Sequence, residues 1–105
     1  MKIENIFSNL SAHSDKEQFE DLIKADNVRI ERIHSPANCE LSNEWYDQPE
    51  NEWVTVLQGY GVIAFEDARI VTLKAGDHLL IEAHEKHRVI KTSAQKTTVW
   101  LAVFF

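Results

Sequence analysis

Residues 52–59 read EWVTVLQG and residues 76–89 read GDHLLIEAHEKHRV, and the fold turns on these two stretches. In the first, Glu52, Val54 and Val56 share a parity, so a β-strand sends all three side chains to one face. Val54 and Val56 belong in an apolar interior, which makes Glu52 a carboxylate at the mouth of a cavity. Just upstream, Tyr46 and Gln48 share a parity before Pro49 interrupts the strand. In the second stretch Gly76 opens a turn and Leu79 to Ile81 form a short apolar run. His87 matches Val89 in parity, so it too faces inward.

The same alternation continues outward from these stretches. Val28, Ile30 and Arg32 alternate with Arg29, Glu31 and Ile33. Further strands are expected over 62–65, 70–73, 88–91 and 97–105, with turn signals at Gln58-Gly59-Tyr60-Gly61, Glu66-Asp67, Ala75-Gly76-Asp77 and Thr92-Ser93-Ala94. Many short strands at near-regular spacing, rich in Val, Ile, Thr and aromatics, predict a mostly β domain with a closed sheet or sandwich. The N-terminal part reads differently. Ile3, Ile6, Phe7 and Leu10 form a short clasp, and Ser14 with Glu17 three residues on makes a capping box. Phe19, Leu22 and Ile23 follow at helical spacing, predicting one short amphipathic helix over 15–24. The chain therefore divides into an N-terminal segment with a short helix, 1–26, and a barrel domain, 27–105.

Composition bounds the partners. The chain has 105 residues, enough for one domain, and 11 Lys+Arg against 17 Asp+Glu give a net charge of −6. Such a surface repels phosphate backbones and anionic lipids, so neither nucleic acid nor membrane is expected as a partner. Cys39 is the single cysteine, which excludes an intrachain disulfide and a thiolate metal cluster. The N-terminal MKIENIFSNL has no long apolar run, so no signal peptide is expected and the cytoplasm is the expected compartment. The C-terminal VWLAVFF is apolar on both faces of its strand. A homodimer, or the N-terminal segment folded over it, would cover the second face.

The stretches DQPENEWVTVLQG and GDHLLIEAHEKH resemble the two motifs of the cupin family. Glu52 and Gly59 fit the interval of the first motif, and Gly76 and His87 fit the turn and the ligand position of the second. The resemblance runs from about Arg29 to Phe105. It implies a cupin-type jelly-roll β-barrel of about six to eight strands, a dimer, and a metal site of three imidazoles and one carboxylate. Two departures weaken that ligand set. The family's paired His fall on Tyr46 and Gln48, and its Pro before the second-motif His is replaced by Glu82.

The expected site is therefore bounded by Tyr46, Gln48, Glu52, His84 and His87. As metal ligands the resemblance offers His87, Glu52 and Gln48, with His84 adding an imidazole if its loop folds inward, for a divalent Fe, Mn, Ni, Co or Zn. Glu52 and Tyr46 are the candidate proton-moving groups. Beside this stand plainer readings: Glu52 hydrogen-bonded to Tyr46 or Gln48, His87 satisfied by a backbone carbonyl, and His84 exposed. His13 and His78 read as surface residues, and His34 as a weaker ligand candidate. Two functions are compatible with these residues, a metal-dependent cupin acting on a small organic metabolite, or a cupin without metal that serves as a small-ligand-binding or dimeric scaffold module.

Overall fold

The computed structural model of the chain describes residues 1–10 and 14–105, so His13 lies outside the described residues. Eight strands succeed one another: β1 (Gln18–Lys24), β2 (Arg29–Ser35), β3 (Glu52–Gln58), β4 (Tyr60–Phe65), β5 (Ile70–Lys74), β6 (His78–Ile81), β7 (His87–Thr92) and β8 (Thr98–Phe104). They form a five-stranded sheet in the order β1-β2-β8-β3-β6 and a three-stranded sheet in the order β5-β4-β7. All the pairings are antiparallel. This is the expected mostly β, jelly-roll architecture.

The core lies between the sheets. Val54 and Val56 of β3, Ile63 and Phe65 of β4, Trp100 and Phe104 of β8 are buried there. Glycines set the crossings between sheets. Gly59 (φ 81°) carries the chain from β3 in the large sheet directly into β4 in the small one. Gly76 (φ 94°) turns β5 back toward β6, where its N–H donates to the Val56 carbonyl at 2.7 Å. Only glycine takes these left-handed conformations without steric cost. Gly61 serves close approach instead, since a Cβ there would run into the indole ring of Trp100.

The predicted N-terminal helix is not formed, and there is no helix among the described residues. Residues 18–24 are the edge strand β1. Its pairing with β2 skips a residue: Asp21 faces Glu31, but Ile23 faces Ile30. Leu22 is the extra residue of a β-bulge, which reverses the parity of Ile23 and Lys24. Phe19, Leu22 and Ile23 therefore combine an interrupted two-residue period, and its spacing mimics one helical turn. The clasp forms in part. Ile6 and Leu10 are half-buried, whereas Ile3 and Phe7 stay exposed. The carbonyls of Ile6 and Ser8 accept from Arg32 Nη1 at 3.0 and 2.6 Å. Residues 6–8 thus lie against the outer face of the large sheet, which Arg32 presents.

Candidate functional site

A cavity of about 310 Å3 opens between the sheets. Its lining is largely apolar, from Ile33, Val54, Ile63, Ile81, Val89 and Trp100, with a few polar groups among them. Concave apolar sites with a few convergent polar groups are the usual form of small-molecule sites. Strand alternation supplies those groups: Glu52 enters on the inward parity of β3, and His87 on that of β7 with Val89. Both are buried, at 7% and 5% exposure.

Glu52 and His87 meet across the cavity from opposite sheets. His87 Nε2 lies 3.3 Å from Glu52 Oε1. Its Nδ1 lies 2.8 Å from the Glu85 carbonyl, which can only accept, so Nδ1 carries a hydrogen. Gln48 Nε2 donates to the same Glu52 oxygen at 2.9 Å. Burial alone pulls the imidazole pKa down. The Glu52 hydrogen bond and the Glu85 carbonyl outweigh it and hold His87 above the ordinary histidine value.

Tyr46 is brought to His87 by a two-bond backbone bridge. Tyr46 N–H donates to the His87 carbonyl at 2.8 Å, and His87 N–H to the Tyr46 carbonyl at 3.1 Å. The two rings sit 5.9 Å apart between centroids. Burial, reinforced by nearby carboxylates, raises the phenol pKa, so Tyr46 keeps its proton. His84 is not brought to the site. Its residue has φ 65°, its side chain is 68% exposed, and its Nδ1 lies 2.8 Å from Asp47 Oδ1 on the rim. His34 has the opposite parity to the cavity-lining Glu31 and Ile33, which puts it on the outer face. His78 is exposed, with its ring 5.3 Å from that of Trp53.

Three polar residues of the cavity wall escaped the sequence reading. Arg29 and Glu31 line it from β2, and Glu17 lines it just ahead of β1. Arg29 Nη1 donates to Glu31 Oε2 at 2.7 Å, and its guanidinium lies 4.0 Å over the Phe104 ring. Arg29 and Glu31 share the parity of Ile33, and that was the available signal. Glu17 gave none, because the capping-box reading absorbed it.

The donor set does not fit a tightly held divalent metal. Among the described residues no group of three or more His, Cys, Asp or Glu stands together as ligands. Glu52 and His87 are two donors, Gln48 adds a neutral oxygen at best, and catalytic zinc sites take about three protein ligands.

With this geometry the family is plain. The chain belongs to the cupins, whose domain model matches residues 36–104. A candidate mannose-6-phosphate isomerase from Ralstonia eutropha JMP134 superposes with a TM-score of 0.89 at 37% identity, over 99% of this chain and 97% of that one. A cupin superfamily protein from Desulfitobacterium hafniense DCB-2 superposes at 0.76 and 21% identity, over 91% and 83%. The iron(II) form of HppE shares the fold at 0.67 and 16% identity, over 86% of this chain and 50% of that one. No curated protein matches the chain. Among the described residues, no helix is long and apolar enough to cross a membrane.

Proposed function

We propose that this cupin holds a small organic molecule between its sheets and exchanges one proton with it through the Glu52–His87 pair. One observation carries the reading. His87 Nδ1 is committed to the Glu85 carbonyl, and Nε2 stands 3.3 Å from Glu52 Oε1 at the edge of an apolar cavity. With Nδ1 protonated, Nε2 is the only ring atom left to gain or lose a proton. The carboxylate beside it favours the imidazolium. A ligand carbonyl oxygen placed against Nε2 can take that proton as it gains negative charge, and the resulting hydroxyl can return it, while Gln48 keeps Glu52 in position. The protonated Tyr46 phenol, on the same cavity wall, is available to donate a hydrogen bond to the ligand. The relative described as a candidate sugar-phosphate isomerase supports proton-transfer chemistry, since aldose–ketose isomerisation moves protons without net oxidation or loss of a group.

The test is a thermal-shift screen of small polyols, hydroxyaldehydes and keto acids, repeated on Glu52→Gln and His87→Ala. The reading expects ligands that stabilise the wild type and lose about tenfold or more in affinity in both variants, the worth of a charge-assisted hydrogen bond. Ligands that bind all three proteins equally contradict it. A divalent metal (Fe, Mn, Ni, Co or Zn) is the second reading. Its support is the fixed Nδ1, an arrangement typical of metal-bound histidines, and its weakness is the lack of a third strong donor. The cytoplasm and a homodimer belong to the same proposal.

A further inference from the structure

The polar wall of the cavity is acidic. Glu17, Glu31 and Glu52 line it against two cationic groups, Arg29 and His87. Both cationic groups already have carboxylate partners. His87 faces Glu52, and Arg29 is shared by Glu31 at 2.7 Å, Glu50 at 3.4 Å and Asp21 at 3.7 Å. Glu17 is left over. Among the described residues no cation lies within ion-pair distance of it.

Glu17 is nevertheless held firmly. Trp100 Nε1–H, which can only donate, gives its hydrogen to Ser35 Oγ at 3.1 Å, and the Ser35 hydroxyl donates in turn to Glu17 Oε2 at 2.6 Å. Ser35 and Trp100 are buried, at 0% and 2% exposure, so this relay fixes one carboxylate oxygen. Burial raises the Glu17 pKa more than the serine hydrogen bond lowers it, as expected of a carboxylate that lacks a counter-charge. Glu17, Phe19 and Tyr46 also line a second, neighbouring cavity of about 340 Å3. In that second cavity Lys16, the one cation lining it among the described residues, shares the wall with Glu17 and Glu40.

We propose that the ligand of this cavity carries an ammonium group seated against Glu17, and that phosphorylated and other anionic molecules are refused. The inference rests on the ligand-binding reading and narrows its substrate class. An ammonium supplies the counter-charge Glu17 lacks. A phosphate would meet three carboxylates, no uncommitted cation in the first cavity, and no helix N-terminus among the described residues.

The test uses three probes on one aromatic ring, benzylamine, benzyl alcohol and phenyl phosphate, titrated calorimetrically into wild type and Glu17→Gln at pH 8. We expect benzylamine to bind about tenfold more tightly than benzyl alcohol, from one charge-assisted hydrogen bond, and phenyl phosphate not to bind. In Glu17→Gln the amine should lose that advantage while the alcohol is unchanged. Phenyl phosphate as the tightest probe, or amine and alcohol alike in the wild type, overturns the inference and leaves the ligand-binding reading standing. No binding by any probe overturns both. Should Glu17→Gln lose its fold, which circular dichroism reports, the wild-type ranking decides.

Discussion

The two best-placed residues, Glu52 and His87, were legible because parity is a physical constraint. A strand that buries Val54 and Val56 must bury Glu52, and one that turns Val89 inward must turn His87 inward. His84 was not legible, because its direction depends on a left-handed backbone at φ 65° and on Asp47, 37 positions away. Buried charge at these sites also sets a pH dependence. Glu17 and Glu31 are raised above the ordinary carboxylate value of 4.5 chiefly by burial. His87 is raised above 6.5 because its hydrogen bonds outweigh its burial. All three groups bind a proton more tightly folded than unfolded. Their stabilisation is therefore complete below the ordinary value and is lost as pH rises through the folded one. The thermal midpoint should fall as pH rises from about 5 to about 8, and Glu17→Gln should flatten the acidic part of that fall. About 1 kcal/mol moves the midpoint of a small domain by about 4–8 °C, so thermal scans across that range resolve it.

At the level of elements, seven of the eight strands announced themselves by alternation and by the glycines between them. The exception, β1, is instructive. Its bulge at Leu22 breaks the two-residue period, and as an edge strand with Phe19, Leu22 and Ile23 all exposed it carries little burial pattern of its own. Pairing with β2 decides its conformation, and single-sequence spacing cannot register that. The glycines give a sharper test. Gly61→Ala pushes a methyl into the buried Trp100 ring and should cost about 2–3 kcal/mol. Gly76→Ala has open space around it and carries only the strain of its positive φ, about 1 kcal/mol. Urea unfolding of the two variants should rank them in that order. Equal midpoints would mean that the β4–β8 contact is looser than described.

For the whole molecule, the two sheet faces differ: the inner faces line the candidate site, and the outer face of the large sheet is the one the proposed homodimer would use. The C-terminal strand posed the question of what covers its second face. Part of the answer is the stretch 6–8, held by buried Arg32, which also pairs with Glu20 at 2.9 Å. Leu80 and Ile23 remain exposed at 48% and 54%, and Trp53, Leu101 and Val103 are half-buried. The proposed homodimer would bury them, and light scattering should then give twice the chain mass of 12.1 kDa, with Leu80→Glu returning the monomer. A wild-type monomer would refute the dimer and leave the site untouched.

Most of the proposed chemistry rests on one proton, shared between Nε2 of His87 and Glu52 at the cavity edge. Nitrogen-15 ring spectra of His87, recorded against pH on the protein as purified, follow that proton. They should show a hydrogen on Nδ1 throughout, an Nε2 that titrates with a pKa above 6.5, and a drop in that pKa in Glu52→Gln. An Nε2 that titrates below the ordinary value, or one that does not titrate until a chelator strips bound metal from it, would show that the two groups do not share a proton.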